Sequence, residues 1–259
     1  MNFLKKLLYF FAGLYVLACI VLFFAQESLI FHPRAVAADR SYGAGTEVDL
    51  TAEDGTVLNA VFVDQVNEPG AVLFLHGNVG DNGRALYQAR DARAAGYDLL
   101  VLDYRGFGKS GGEIVSEEQM QSDAQLAYDY LAERYPEDRI SVVGYSLGTG
   151  MASHLAANND PGQLVLIAPY LSITAMKNLW FWLVPDFILK YDLDNAEHLA
   201  EVRCPTTIVH GTADRLIPFN MAERLRDVAP ERIELVELPG VGHRGAVTSG
   251  ALGRILAQP

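Results

Sequence analysis

Val142-Val143-Gly144-Tyr145-Ser146-Leu147-Gly148-Thr149-Gly150 is the stretch from which the fold of this 259-residue chain can be predicted. Residues 140–143 before the turn are apolar and β-branched, as in a buried strand, and residues 151–156 after it have the spacing of a packed helix. A strand, tight turn and helix in this order leave Ser146 exposed at a helix N-terminus, where free N–H groups stabilise an oxyanion. Glycine at positions 144 and 148 is explained because a Cβ there would collide with the neighbouring strand or helix.

Length and composition limit what the chain can be. With 50% hydrophobic residues it is long enough for one large α/β domain. Its 20 basic and 32 acidic residues give a net charge of −12, which argues against nucleic acid as a partner. Two cysteines, Cys19 and Cys204, provide no disulfide framework. Histidine and cysteine show no metal-ligand spacing, so neither a metal nor another cofactor is expected.

The N-terminus contains an uncharged run over residues 7–25, which as a helix spans about 28 Å and matches a hydrocarbon core of about 30 Å. Lys5 and Lys6 precede it, so the positive-inside rule favours a cytoplasmic N-terminus and an extracytoplasmic domain, periplasmic in a Gram-negative cell. A cleaved signal peptide is the competing interpretation. The run stays apolar past Cys19, which favours an uncleaved anchor in the lipid bilayer.

The remaining chain alternates strand and helix patterns. Residues 46–51 and 57–63 flank a turn and predict an antiparallel hairpin. Short apolar runs without alternation follow, each before helix-like sequence, and these predict a mostly parallel sheet with helices on both faces. The runs are 71–75, 99–102, 140–143, 164–168 and 206–209. Residues 233–238 alternate as an edge strand, and 245–257 are expected to close the chain as a helix.

Two further segments have distinctive patterns. Ser116 and Gln119 have capping-box spacing, and the apolar stripe that follows predicts a helix packed on the sheet. Residues 170–200 show neither the helical nor the strand periodicity and form an insertion rich in aromatic residues. Two interpretations are open, namely buried packing or a small lid that lines an acyl pocket. The candidate acyl-pocket residues are Trp180, Phe181, Trp182 and Phe187.

A nucleophilic serine needs a base and an acid that orients it. Of six histidines, His243 lies in a glycine-flanked loop after the last strand, where the third member of a Ser, acid, His order must stand. Asp214 follows the 206–209 strand and is therefore expected at the carboxyl end of that strand, where the acid must lie. The aspartates of the insertion suit solvation or capping better. Ser146, Asp214 and His243 are therefore the predicted catalytic residues.

The oxyanion hole is predicted from two backbone N–H groups. Leu147 supplies one, and Asn78 in the loop after the 71–75 strand supplies the other, with Gly77 permitting close approach. His76 is interpreted as a ring that holds this loop by hydrogen bonds, in preference to a direct chemical role. Tyr145 is expected to shape the site beside the serine.

Five motifs occur in order along the chain. They are His76-Gly77-Asn78, Asp103-Tyr104-Arg105-Gly106-Phe107-Gly108-Lys109-Ser110, Gly144-Tyr145-Ser146-Leu147-Gly148, His210-Gly211-Thr212-Ala213-Asp214 and Gly242-His243. With these motifs, residues from about 30 to 259 resemble the α/β-hydrolase superfamily, and in particular its Bem46-like, membrane-anchored branch. The resemblance implies an eight-stranded sheet, the triad named above, and activity on esters, thioesters or amides. The chain is therefore expected to consist of an anchor and juxtamembrane segment over 1–33 and a hydrolase domain over 34–259.

The sequence predicts a membrane-anchored serine hydrolase acting on a small-molecule or acyl substrate, an ester or thioester, through an acyl-enzyme. An aminopeptidase using the same triad is an alternative, with Asp186, Asp192 or Asp194 holding the substrate ammonium. A non-catalytic binding protein on this fold is a weaker one, since all three triad positions are filled. Arg105 is interpreted as a site-shaping residue, and binding of a substrate carboxylate is its competing role.

Overall fold

The computed structural model describes residues 3–66 and 68–257, and within them the strands form one eight-stranded sheet. The strand order is β1-β2-β4-β3-β5-β6-β7-β8. β1 and β2 pair antiparallel, β2 pairs antiparallel with β4, and every later pair is parallel. The predicted hairpin and parallel sheet are thereby confirmed. The strands are β1 Thr46–Thr51, β2 Val57–Val63, β3 Ala71–Leu75, β4 Asp98–Leu102, β5 Ile140–Tyr145, β6 Gln163–Ile167, β7 Thr206–Gly211 and β8 Ile233–Leu238.

One face of the sheet is covered by four helices. They are α4 Glu117–Ala132, α5 Gly148–Asn158, α7 Asn195–Glu201 and α8 Phe219–Arg226. The predicted start of α4 is confirmed because the Ser116 side chain accepts a hydrogen bond from the Gln119 N–H at 3.1 Å. The Gln119 side chain accepts from the Val115 N–H instead of closing the box on Ser116 itself. The predicted stripe of Met120, Ala124, Ala127 and Leu131 is fully buried against the strands.

The other face is covered by α2 Asn82–Gln88, α3 Arg90–Ala94, α9 His243–Ala246 and α10 Ala251–Leu256. The expected continuous helix over 245–257 is wrong, because the chain there forms two short helices. Gly250 separates them with a φ of +75°, a left-handed conformation that interrupts the helical hydrogen bonds.

The N-terminal helix α1, Phe3–Ile30, is apolar and long enough to cross a membrane. Most of its side chains before Leu22 are exposed to the surroundings of the protein. Between β6 and α7 lies a segment with α6 Ile173–Trp180 and a short 3₁₀ turn, Asp186–Ile188, which packs beside the C-terminal part of α1. This segment, residues 170–194, is called the cap below.

Candidate active site

The turn between β5 and α5 holds Ser146 in a strained backbone conformation. Its φ is +52°, a region that non-glycine residues rarely occupy. The Ser146 N–H donates to the Ile167 carbonyl of the neighbouring strand at 2.9 Å, which fixes the turn against the sheet. With only 7% of its surface exposed, the residue is buried, so the expectation that the turn leaves Ser146 exposed is wrong. The strain is thus maintained by the surrounding sheet, and the hydroxyl is held at the carboxyl end of β5.

Both glycines of the turn are required by close approach, as the sequence predicts. A Cβ on Gly144 would lie 2.6 Å from the Gly148 carbonyl oxygen and 2.7 Å from the Cβ of Ala152, inside α5. A Cβ on Gly148 would overlap the Leu75 carbonyl at the end of β3. Any larger residue at either position would therefore push α5 away from the strands.

Three side chains from separate loops meet at this turn. His243 Nε2 lies 3.0 Å from Ser146 Oγ, and His243 Nδ1 lies 2.7 Å from Asp214 Oδ2. The serine follows β5, the aspartate follows β7, and the histidine begins α9 after β8. With Nδ1 donating to the carboxylate, Nε2 is free to accept the proton of the serine hydroxyl. The geometry is that of a nucleophile, a base and an orienting acid.

Asp214 is held as a carboxylate by its neighbours. Burial alone would raise its pKa, but hydrogen bonds from His210, His243 and the Ile217 N–H outweigh burial and hold the pKa well below the usual range. The Leu216 and Ile217 N–H groups donate to Oδ1 at 2.8 and 2.9 Å. His210 Nε2 lies 3.4 Å from Oδ2 and 3.0 Å from the Ile217 carbonyl oxygen. Asp214 was predicted from the sequence, whereas this role of His210 was not.

Tyr145 packs beside the imidazole of His243, with 5.4 Å between ring centroids. It is 5% exposed, and burial raises the pKa of its hydroxyl to about 12. The ring therefore remains neutral and limits the space in which the imidazole can rotate. This position fits the site-shaping role expected for Tyr145, which stays a proposal.

The backbone N–H groups of Asn78 and Leu147 both belong to residues that line the cavity next to Ser146. Within residues 3–66 and 68–257, neither of these N–H groups donates to a protein acceptor. The carbonyls of the same residues are engaged, since His32 N–H donates to the Asn78 oxygen at 3.2 Å and the Tyr170 hydroxyl donates to the Leu147 oxygen at 3.3 Å. Two fixed, unpaired donors beside a nucleophile are what an oxyanion hole requires.

His76 lies behind this loop and is 1% exposed. Its Nδ1 contacts the Gly77 carbonyl oxygen at 2.6 Å, and its ring packs against Tyr104 and Phe107. Burial lowers the pKa of His76 to about 4, so the ring is neutral near pH 7. These contacts fit the expectation that His76 holds the loop, which stays a proposal.

Arg105 does not line the cavity that contains Ser146. Its guanidinium binds both carboxylate oxygens of Asp123 on α4, at 2.7 and 3.0 Å, and also contacts Asp54 and the Thr56 hydroxyl in the turn before β2. With 5% of the residue exposed, its donors are committed to other residues of this chain. Arg105 therefore ties the 103–110 loop to its neighbours and is not positioned to bind a substrate carboxylate.

The cavity next to Ser146 has a volume of about 320 Å³, and apolar side chains form most of its wall. Three segments contribute to that wall, namely the last turns of α1, the cap, and the loop after Asp214. From α1 come Leu22, Gln26, Leu29 and Ile30; from the cap come Tyr170, Ile173, Met176, Lys177, Trp180, Phe181, Val184, Ile188 and Leu189; and from the loop come Leu216 and Ile217.

Of the predicted acyl-pocket residues, Trp180 and Phe181 line this cavity, whereas Trp182 and Phe187 lie outside it. The latter two are 72% and 85% exposed. Ile188 and Leu189 take part in the wall instead. The contribution of α1 was not anticipated. The signal for it in the sequence is Gln26, a lone amide in an apolar helix directly before the first acidic residue.

The chain is similar to known hydrolases in sequence. The sequence model of the serine aminopeptidase S33 family matches residues 67–197, which include Ser146 and the loop of Asn78. An uncharacterized protein of Mycobacterium tuberculosis is 31% identical over 247 residues, 90% of this chain and 88% of that protein. The lysophosphatidylserine lipase ABHD12 of Danio rerio is 31% identical over 185 residues, which are 62% of this chain and 47% of the fish protein.

Solved structures show the same fold. The Pyrococcus furiosus esterase Pf2001 superposes with a TM-score of 0.69 at 20% identity, covering 87% of this chain and 96% of the esterase. Est1E of Butyrivibrio proteoclasticus, solved with ferulic acid, superposes with a TM-score of 0.64 at 19% identity, covering 82% and 96%. The sheet, the strand order and these relatives agree with the resemblance read from the motifs. The chain therefore belongs to the serine aminopeptidase S33 family within the α/β-hydrolase superfamily, and it is a serine hydrolase.

Proposed function

We propose that this hydrolase cleaves the carboxylic ester or thioester bond of a substrate with a single long acyl chain. The observation that carries the proposal is the apolar cavity that opens beside Ser146. Each buried methylene of an acyl chain contributes about 0.8 kcal/mol to binding, so a wall of aliphatic and aromatic side chains favours long chains over acetyl groups.

The proposed reaction is an acyl transfer in two steps. His243 Nε2 takes the proton of the Ser146 hydroxyl as Oγ attacks the acyl carbonyl, while Asp214 stabilises the imidazolium that forms. The oxyanion accepts hydrogen bonds from the N–H groups of Asn78 and Leu147. His243 then gives the proton to the leaving alcohol or thiol, and the acyl group remains on Ser146. Water, deprotonated by His243, attacks the acyl-enzyme and releases the fatty acid.

The family description favours an aminopeptidase as the second candidate. That activity needs an acidic group at the cavity to bind the substrate ammonium. The three aspartates considered for this role are engaged elsewhere: Asp186 pairs with Lys177, Asp192 accepts from the Thr174 N–H, and Asp194 caps α7. Among the described residues, no Asp or Glu side chain lines the cavity. These observations support the acyl substrate over the peptide.

The relatives support the same choice. The lipase from Danio rerio acts, by its name, on lysophosphatidylserine, a lipid with one acyl chain. A lysophospholipid or a similar single-chain ester is therefore the substrate class that we propose for this chain.

A substrate panel on the full chain in detergent micelles tests the proposal. It contains p-nitrophenyl esters of rising chain length, an acyl thioester, a lysophospholipid and aminoacyl p-nitroanilides. We expect kcat/KM to rise with acyl length and the anilides to be cleaved slowest. Ser146→Ala is the matched control for background hydrolysis. Anilide cleavage far faster than that of any ester would contradict the proposal and favour the peptidase.

A further inference from the structure

The cap and the N-terminal helix lie side by side over a long distance. At the domain end, Lys190 Nζ contacts Glu27 at 2.7 Å, and the Lys190 N–H donates to the Gln26 side chain at 2.8 Å. At the far end, the Tyr15 hydroxyl donates to the Leu183 carbonyl at 2.8 Å. Because an α-helix rises about 1.5 Å per residue, the twelve residues from Tyr15 to Glu27 separate these contacts by about 18 Å.

This distance is comparable to one leaflet of a bilayer, whose whole hydrocarbon core is about 30 Å thick. Tyr15 lies near the middle of the uncharged run 7–25, and Glu27 is the first charge after that run. If α1 crosses a membrane over this run, the chain around Leu183 lies at the depth of the bilayer centre. The domain end of the cap, at Lys190, then lies at the polar surface.

The tip of the cap, residues 179–187, has the side chains that such a position requires. Its large apolar residues are exposed instead of packed into the domain: Leu179, Trp180, Phe181, Trp182, Leu183 and Phe187 are between 44% and 85% exposed. The one charge of the tip, Asp186, is paired with Lys177 of α6 at 2.5 Å. An exposed apolar cluster of this kind marks an interaction surface, and the hydrocarbon of a membrane satisfies it.

We propose that the tip of the cap is embedded in the same membrane leaflet as the adjacent half of α1. The cavity beside Ser146 is lined by α1, through Leu22 and Leu29, and by α6, through Trp180. Because both helices enter the leaflet in this arrangement, an opening between them faces the lipid. An acyl chain enters the cavity laterally from the lipid, without passing through water. This route rests on the proposed function, whereas the insertion of the tip does not.

The insertion has a direct spectroscopic readout, because Trp180 and Trp182 are the only two tryptophans of the chain. The full chain is reconstituted in phosphatidylcholine vesicles that carry bromine near the middle of the acyl chains. We expect these lipids to remove most of the tryptophan emission, and iodide in the water to remove little. Trp180→Phe and Trp182→Phe assign the signal to each ring. Efficient quenching by iodide with none by the brominated lipids would overturn the proposal.

A second measurement tests the acyl route. Leu183→Asp places a charge in the tip at a side chain that does not line the cavity. We expect it to slow hydrolysis of a long-chain ester embedded in vesicles by at least about tenfold, and to leave hydrolysis of a soluble butyrate ester nearly unchanged. Tyr87→Asp, on the exposed surface of α2, is the matched control and should change neither rate.

The outcomes separate the two proposals. One outcome is that the wild type cleaves soluble esters and that Leu183→Asp changes neither the rate for the long-chain ester in vesicles nor the rate for the butyrate ester. The lateral route is then wrong and the proposed function stands. If no ester is cleaved by the wild type while the brominated lipids quench the tryptophans, the proposed function is wrong and the insertion stands.

Discussion

The Asn78 side-chain amide donates to the carbonyl of Ile30, the last residue of α1, at 3.1 Å. The loop that provides one N–H of the proposed oxyanion hole is thus bound to the end of the apolar N-terminal helix. The His32 N–H returns a hydrogen bond to the Asn78 carbonyl. The position of the helix and the position of an oxyanion donor are therefore coupled.

Asn78→Ala should remove this link while keeping the backbone N–H. We expect kcat for a butyrate ester to fall by about 10- to 100-fold with little change in KM, because the misplaced donor acts mainly on the oxyanion of the transition state. Steady-state kinetics of the full chain in micelles measure this. Asn158→Ala, at the exposed end of α5, is the control. A rise in KM with kcat unchanged would show that Asn78 serves ground-state binding only.

Leu22→Trp should fill the part of the cavity that α1 provides. Loss of room for two methylenes costs about 1.6 kcal/mol, so we expect kcat/KM for a dodecanoyl ester to fall by about tenfold relative to a butyryl ester. Leu17→Trp is a matched substitution on the same helix, at a side chain that is 56% exposed and does not line the cavity. Equal chain-length profiles for both variants would contradict the contribution of α1 to acyl binding.

Asp103 should make folding stability depend on pH in an unusual direction. Burial raises its pKa to about 7, despite hydrogen bonds from Tyr42 and the Lys109 N–H. Between about pH 4 and 7 the folded protein therefore holds a proton on Asp103 that the unfolded chain has lost. The contribution of Asp103 to the free energy of unfolding becomes less favourable as pH rises through that window. His76 Nε2, 3.8 Å from Asp103 Oδ1, has the opposite effect because its pKa is lowered.

Asp103→Asn removes one of these two opposing contributions. Between pH 4.5 and 6.5, the free energy of unfolding of the variant should rise more steeply with pH than that of the wild type, by on the order of 1 kcal/mol per pH unit. Urea titrations of both proteins in micelles at several pH values measure the slopes. Identical slopes would mean that Asp103 is ionised throughout this range.

The orientation of the anchor is a separate prediction. By the positive-inside rule, Lys5 and Lys6 before the uncharged run predict an N-terminus in the cytoplasm and a hydrolase domain outside it. Protease added to intact spheroplasts that express the full chain should therefore digest the domain, with a cytoplasmic protein as the control for leakage. Full protection of the domain would reverse the orientation, and release of an intact domain by carbonate would exclude a spanning anchor.

Local patterns predicted the fold and the residues that meet at Ser146. The strand and helix around Gly144 and Gly148 follow from a short apolar run and a tight turn, and the order of Asp214 and His243 follows from the connectivity of a parallel sheet. Each of these depends on spacing within a few residues or on one topological rule. Strand registers were not needed to place them.

The sequence did not predict the contacts that join distant segments. Gln26 accepts from Lys190 across 164 residues, and Arg105 reaches Asp54 across 51. Composition predicted an aromatic wall from the insertion, but it did not separate Trp180, which lines the cavity, from Trp182, which does not. That distinction depends on where α6 ends and how the cap packs beside α1, which is tertiary information.

The proposal that Ser146 is the nucleophile is tested most directly by covalent labelling. The full chain is treated with a fluorophosphonate, digested, and the modified peptide is identified by mass spectrometry. We expect one adduct, on Ser146, that is absent from Ser146→Ala, and turnover reduced by about three to six powers of ten in His243→Ala. Equal labelling of the wild type and Ser146→Ala, or an adduct on another serine, would contradict the proposal that Ser146 is the nucleophile.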